Sequence, residues 1–105
     1  MAEESTGARA CFGDIAPALA EITDDMLFGQ VWARPGLSPR DRSLITIACL
    51  TALYRTNELP FHLKKGLENG LTREEIVEAI THLAFYSGWP TAMTALQSAR
   101  NAFHF

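Results

Sequence analysis

The side chains in this sequence that are best placed for chemistry are a carboxylate and an imidazole, Glu58 and His62, spaced Glu-x-x-x-His. Residues four apart project from the same face of an α-helix, so the two groups are neighbours if this segment is helical. A carboxylate beside a neutral imidazole orients the ring and raises its basicity, which suits proton transfer near neutral pH. The same spacing also occurs in surface pairs worth roughly a few tenths of a kcal/mol. We treat Glu58 and His62 as a candidate acid/base pair, with the surface pair as the alternative.

Two arginines precede this pair, at the start of a strongly apolar segment. Arg40 or Arg42 could bind the carboxylate of a small ligand through two parallel hydrogen bonds. Either could equally form an ion pair with Asp41, with Glu58 or with a neighbouring subunit. Both interpretations fit the sequence.

A second Glu-x-x-x-His, Glu78 with His82, is followed by Tyr86 and Trp89. Two such pairs facing each other would suggest a metal site, but helical bundles usually use Glu-x-x-His with further glutamates on other helices. We therefore predict no metal. Tyr86 and Trp89 could wall a pocket for a flat, unsaturated ligand, and core packing is the alternative for each.

Short sequence patterns indicate the helices that must position these groups. Ser38 can cap a helix with Pro39 in its first position, and the segment 44–53 is apolar almost all round, so we expect that helix to be buried. Thr72 and Glu75 form a capping-box pattern for a later helix. Further segments carry apolar residues at helical spacing, and none alternates with a period of two. The sequence predicts an all-α protein, a small helical bundle.

Composition limits the function classes. The chain has 105 residues, 48% of them hydrophobic, and a formal charge of -3 without a polybasic run, which argues against a nucleic-acid partner. The longest apolar segment is about half of a membrane span and the first ten residues are polar, so we expect a soluble, cytoplasmic protein without a membrane partner. We expect residues 1–11 to form a disordered tail and residues 12–105 a single domain.

The cysteines and aromatic residues carry two further expectations. Cys11 and Cys49 are far apart and form no Cys-x-x-Cys, which predicts neither a disulfide framework nor a zinc site. The aromatic side chains are numerous for so small a bundle, which favours self-association, although an ordinary core could also hold them.

With these residues described, the chain resembles the carboxymuconolactone decarboxylase family, small all-helical proteins related to alkylhydroperoxidase D. The resemblance rests on LFGQVWARPGLSPRDR at 27–42, LITIACLTAL at 44–53, the pair Glu58 and His62, and ENGLTREEIVEAITHLAFYSGWPTAMTAL at 68–96. It implies the fold, and a homo-oligomer that is a trimer or a hexamer.

The peroxidase-like branch of these proteins uses Cys-x-x-Cys, a histidine four residues later and a relay glutamate. By resemblance the cysteine positions fall on Arg55 and Glu58, the histidine on His62 and the glutamate on Ser43. A thiolate is therefore absent where that chemistry needs one, and thiol peroxidase activity is not expected.

The decarboxylase branch lacks Cys-x-x-Cys, as this chain does. The resemblance implies conversion of 4-carboxymuconolactone to 3-oxoadipate enol-lactone and carbon dioxide, or action on a related small carboxylated lactone, without a cofactor. It implies that Arg42, or else Arg40, binds an acidic group of the substrate, with His62 as the acid/base and Glu58 as its orienting partner. A non-catalytic oligomer that binds a small acidic ligand is the alternative, because Ser43 stands where the resemblance places a glutamate and the polar network of the site then has one carboxylate fewer.

Overall fold

The computed structural model describes residues 2–104, with side chains from residue 7 onward. Within that range the chain has helices and no β-strand, which confirms the prediction of an all-α fold. The elements are α1 (Ala2–Phe12), α2 (Pro17–Glu21), a π-helix (Ile22–Val31), α3 (Pro39–Ala52), α4 (Leu59–Glu68), α5 (Arg73–Leu83) and α6 (Trp89–Phe103). Met1 of the predicted tail and Phe105 of the predicted domain lie outside the described residues.

The chain divides into two compact units, Met1–Leu37 and Ser38–Phe105. In the first unit, the carboxylate of Asp24 in the π-helix is fully buried. It accepts hydrogen bonds from the backbone N–H groups of Ala8, at 2.9 Å, and Arg9, at 3.1 Å. Two residues of the expected tail, Ala8 and Arg9, are thus bonded to a residue 16 and 15 positions away. The division into a disordered tail and a single domain stays a prediction.

In the second unit, α3 to α6 surround one apolar core. Its buried members are Ile47, Leu59, Leu63, Leu71, Ile76, Ile80, Ala84, Ala92, Ala95, Ala99 and Phe103. Small alanines on one side of α6 let this helix approach its neighbours closely, while larger aliphatic side chains on α3, α4 and α5 fill the space between them. The buried stripe of Ile76 and Ile80 on α5 is the one that helical spacing predicts.

Two helix starts follow the sequence signals. Ser38 Oγ accepts a hydrogen bond from the Asp41 N–H, 3.1 Å away. Thr72 and Glu75 form the full capping box, with the Glu75 N–H 3.0 Å from Thr72 Oγ1 and the Thr72 N–H 2.9 Å from Glu75 Oε1. The Thr72 N–H, with a smaller contribution from Arg40, lowers the pKa of Glu75 below its ordinary value. Both predicted caps are confirmed.

The expectation that α3 is buried all round is wrong for the single chain. Ile45 is 55% exposed and Leu53, just after the helix, is 64% exposed, while Cys49 and Ala52 also face outward. The helix packs against α4, α5 and α6 along one side, and its other apolar side is uncovered. An apolar sequence pattern indicates that a surface avoids water, but it does not say which chain covers that surface.

None of the helices described for residues 2–104 combines the length and the apolar character that crossing a bilayer requires.

Candidate functional site

A tight turn after α3 leads into the segment that carries the candidate acid/base pair. Tyr54 has a φ of 63°, and its N–H donates to Thr51 O at 3.1 Å. The next N–H, that of Arg55, donates to Leu50 O at 2.8 Å. These two bonds form the Schellman motif, which usually has glycine in the left-handed position that Tyr54 occupies here. The turn fixes the backbone of Arg55 directly before the candidate pair.

Glu58 lies at the N-cap position of α4. Its side chain makes no capping bond. Instead, Glu58 Oε1 accepts a hydrogen bond from Arg55 Nε at 3.1 Å, and both side chains are exposed. Arg55 was missed as a site residue, although its position three residues before Glu58 is the spacing of a helical ion pair.

His62 lies in the second turn of α4 and is half-buried. Its ring meets that of Phe61 edge to face, with centroids 5.0 Å apart and planes at 86°. Burial lowers the pKa of His62 below its ordinary value of 6.5, so the imidazole is neutral at pH 7 in the free protein. The helix thus carries a neutral, partly shielded imidazole one turn after a carboxylate. The assignment of Glu58 and His62 as an acid/base pair stays a prediction.

Of the two predicted anion-binding arginines, Arg40 is already engaged. One guanidinium nitrogen lies 2.9 Å from Asp41 Oδ1 and another lies 2.7 Å from Glu75 Oε2. The hydrogen bond to Glu75 is the main reason that the pKa of Arg40 is raised. Arg42 is half-buried on the same helix. The ion-pair alternative therefore describes Arg40.

An open groove of about 480 Å³ lies between α3 and α5. Leu44, Ala48 and Leu83 contribute to its apolar floor, and its polar lining consists of Arg40, Glu75, Glu78 and His82. Because Arg40 is already paired with Asp41 and Glu75, the further carboxylate of Glu78 gives the groove a negative balance that disfavours an anionic ligand. Among the side chains that the structure describes, those of residues 7–104, there is no cluster of three or more His, Cys, Asp or Glu that could hold a metal ion.

Tyr86 and Trp89 lie on the surface. Tyr86 is 78% exposed and stacks on His82, with ring centroids 4.8 Å apart. Trp89 is also exposed and meets Phe85 at 69°, with ring centroids 5.0 Å apart. Neither side chain lines the groove between α3 and α5. The core-packing alternative therefore does not describe them in the single chain.

Ser43, which stands at the relay-glutamate position, is fully buried on α3. Its hydroxyl accepts a hydrogen bond from Asn69 Nδ2 at 3.0 Å. Cys11 and Cys49 are both exposed free thiols. The polar group at position 43 therefore links α3 to the end of α4.

Comparison with known proteins extends over most of the chain. The family model described as the carboxymuconolactone decarboxylase family matches residues 17–101. A 4-carboxymuconolactone decarboxylase of Acinetobacter baylyi is 45% identical over 76 residues, which cover 72% of this chain and 57% of that protein. A nitrosuccinic acid decarboxylase of Metarhizium robertsii is 37% identical over 76 residues, covering 72% of this chain and 53% of that protein. The chain thus spans a little over half the length of these two curated relatives.

A third relative matches a longer part of the chain. It is an uncharacterized 15.0 kDa protein of Paracoccus denitrificans, 29% identical over 91 residues, which cover 85% of this chain and 68% of that protein.

Proposed function

Because this chain belongs to the carboxymuconolactone decarboxylase family, we propose that it is a carboxy-lyase acting on a small carboxylated substrate, 4-carboxymuconolactone or a related acid. The observation that carries the proposal is the pair of relatives named for the same reaction type on two different acids. When carbon dioxide leaves, its electron pair stays on the reacting carbon. In 4-carboxymuconolactone the conjugated lactone can accept that pair, and in nitrosuccinic acid the neighbouring nitro group can accept it. The substrate class is therefore a carboxylate next to an electron-accepting group.

Such a reaction requires three things of the protein. It must hold the carboxylate, stabilise the negative charge as the carbon–carbon bond breaks, and return a proton to the carbon that lost carbon dioxide. No organic cofactor enters this scheme, because the substrate itself accepts the electron pair.

We assign the proton transfer to His62. Its imidazole is neutral at pH 7 in the free protein because burial lowers its pKa. An anionic substrate beside the ring favours the imidazolium, so binding raises the pKa and loads the ring with the proton that the carbon later receives. Glu58, four residues earlier in the sequence, is the orienting partner that the spacing suggests for the ring.

The experiment measures carbon dioxide release from 4-carboxymuconolactone and from nitrosuccinate. Wild-type protein should release carbon dioxide from at least one of them, and His62→Gln should lower kcat by at least about 100-fold, the usual range for a general acid. His82→Gln is the matched control, since His82 belongs to the other Glu-x-x-x-His pair and should keep wild-type kcat. No release from either acid, or full activity of His62→Gln, would contradict the proposal.

A non-catalytic protein that binds a small acid is the second candidate. It is favoured by Ser43, whose hydroxyl is bonded to Asn69 at 3.0 Å. The family resemblance places a glutamate at this position, and that carboxylate would add a further proton-transfer group to the site. Saturable binding of either acid without release of carbon dioxide would identify this second function. Thiol peroxidase activity is not part of the proposal, since Arg55 and Glu58 stand at the cysteine positions.

We also propose that the protein is a homo-oligomer in the cytoplasm, with a role in breaking down aromatic compounds. Self-association is supported by large apolar side chains that are uncovered in the single chain, among them Ile45, Phe85, Tyr86, Trp89 and Met93. Aromatic and methionine side chains are enriched at protein interfaces. A trimer or a hexamer is the assembly that the family resemblance implies.

A further inference from the structure

We propose that Arg55 binds the carboxylate of the substrate and that Glu58 is the residue that positions Arg55. This inference rests on the proposed function. It moves the anion-binding role from Arg40, which is already paired with two carboxylates, to Arg55, and it gives Glu58 a role directed at a guanidinium.

The backbone of Arg55 is held on both sides. Its N–H donates to Leu50 O at 2.8 Å in the turn after α3, and its carbonyl accepts from the Leu59 N–H at 3.2 Å at the start of α4. The left-handed conformation of Tyr54 directs the chain from the first bond to the second. A residue whose backbone is already fixed binds its ligand more tightly, because less conformational entropy is lost on binding.

The side chain of Arg55 is oriented but not saturated. Glu58 Oε1 accepts from Nε at 3.1 Å, and Nη1 and Nη2 make no hydrogen bond to residues 7–104, whose side chains the structure describes. These two nitrogens form the outer edge of a planar fork, which matches the two oxygens of a carboxylate. Arg40, by contrast, already donates to Asp41 and Glu75.

The local charge also favours an anion here. Between residues 55 and 68 the sequence has three basic side chains, Arg55, Lys64 and Lys65, against the two acidic side chains Glu58 and Glu68. The groove between α3 and α5 has the opposite balance. An acidic substrate that encounters both surfaces is therefore drawn towards α4.

Arg55 is correctly spaced from the imidazole. The Leu59 N–H bonds to Arg55 O, which closes one turn of helical spacing directly before α4, and residues seven apart along a helical path return to the same face. Arg55 and His62 are then about 10 Å apart along the axis. A flexible arginine side chain spans much of that distance, so a small acid can contact both groups.

Succinate is a suitable probe, because it has two carboxylates and no electron-accepting group that would let it decarboxylate. Titration into ¹⁵N-labelled protein should shift the Arg55 Nε–Hε resonance. Arg55→Ala should weaken succinate binding by about tenfold or more, the loss expected for a bidentate charged pair. Arg55→Lys keeps the charge but not the two parallel donors, so its affinity for succinate should lie between those of the wild type and Arg55→Ala. Arg100→Ala removes an exposed arginine of α6 and should bind succinate as tightly as the wild type does.

The role of Glu58 is tested by two variants that remove the same charge. Glu58→Gln keeps an oxygen that can accept from Arg55 Nε, whereas Glu58→Ala does not. Glu58→Gln should bind succinate more tightly than Glu58→Ala, since only the hydrogen bond differs between them. Equal affinities would overturn the positioning role.

The outcomes separate this inference from the proposed function. Succinate binding that is unchanged in Arg55→Ala, or the absence of succinate binding up to saturating millimolar concentration, overturns the role of Arg55 whether or not the protein releases carbon dioxide. If the wild type does turn over an acid, Arg55→Ala should raise KM by about tenfold or more and change kcat less. Absence of turnover together with Arg55-dependent succinate binding contradicts the lyase activity alone.

Discussion

The side-chain amide of Asn69 donates a hydrogen bond to the hydroxyl of Ser43 at 3.0 Å, and Ser43 is completely shielded from water. This bond joins the first half of α3 to the residue that ends α4. Because α4 carries Glu58 and His62, the bond helps to set the position of the helix on which the proposed chemistry depends.

Ser43→Ala should lower the free energy of unfolding by about 1 kcal/mol, the net value of a buried hydrogen bond whose donor can partly recover contact with water. Urea denaturation measures the change. Ser98→Ala is the control, since Ser98 is half-buried on α6 and its hydroxyl has no hydrogen bond among the described residues. An equal loss in both variants would mean that the Asn69 bond contributes nothing.

Tyr54 occupies the left-handed region with a φ of 63°, where any side chain with a Cβ is strained. Tyr54→Gly should therefore be more stable than Tyr54→Ala by about 1 kcal/mol, because both variants lose the ring and only glycine relieves the backbone. The neighbouring residue Leu53 has a φ of -84°, so the order should reverse there, with Leu53→Ala more stable than Leu53→Gly. Thermal or urea unfolding of the four variants tests the pair of predictions, and glycine being favoured at both positions would contradict it.

His62 should make stability depend on pH in a definite direction. Its pKa in the folded protein lies below 6.5, so the unfolded chain binds a proton more readily than the folded chain as the pH falls through 6.5. The free energy of unfolding is unaffected by this group above that pH and decreases below it, until the folded-state pKa is passed. His62→Gln should lose less stability than the wild type between pH 7 and pH 5, measured by urea midpoints at each pH. Parallel curves for the two proteins would exclude burial of a neutral imidazole.

Phe85 should report on self-association, because its ring is 71% exposed in the single chain and its replacement does not disturb the core. Phe85→Asp should reduce the molecular mass in solution, measured by light scattering, while the helical circular dichroism is retained. Asn101→Asp adds the same charge at an exposed polar position of α6 and should keep the wild-type mass. A monomeric wild type, or equal masses in both variants, would contradict an interface at Phe85.

The parts of the fold that the sequence predicts well are those with local signals. Ser38 before Pro39 begins α3, and the Thr72 and Glu75 pair begins α5, because capping bonds connect residues three apart. Helical spacing likewise identifies the buried stripe around Ile76. These features need no knowledge of distant parts of the chain.

The features that sequence reasoning missed depend on distant partners or on the backbone. The backbone N–H of Ala8 bonds to Asp24, 16 residues away, and the buried hydroxyl of Ser43 bonds to Asn69, 26 residues away. A tyrosine in the left-handed region gives no residue-type signal, since glycine is the usual occupant. Of the candidate site, the segment from Glu58 to His62 could be proposed from spacing, whereas the engagement of Arg40 and the availability of Arg55 become visible only with their neighbours in place.

Asp24 has a consequence for how the protein can be shortened. Its two carboxylate oxygens are satisfied by the N–H groups of Ala8 and Arg9, which belong to a segment that looks expendable by its composition. Trimming the amino terminus past these two residues would remove both backbone donors and the Arg9 guanidinium from a carboxylate that is buried in the intact chain, and should destabilise the first unit. An expression strategy should preserve that segment, or replace the aspartate at the same time.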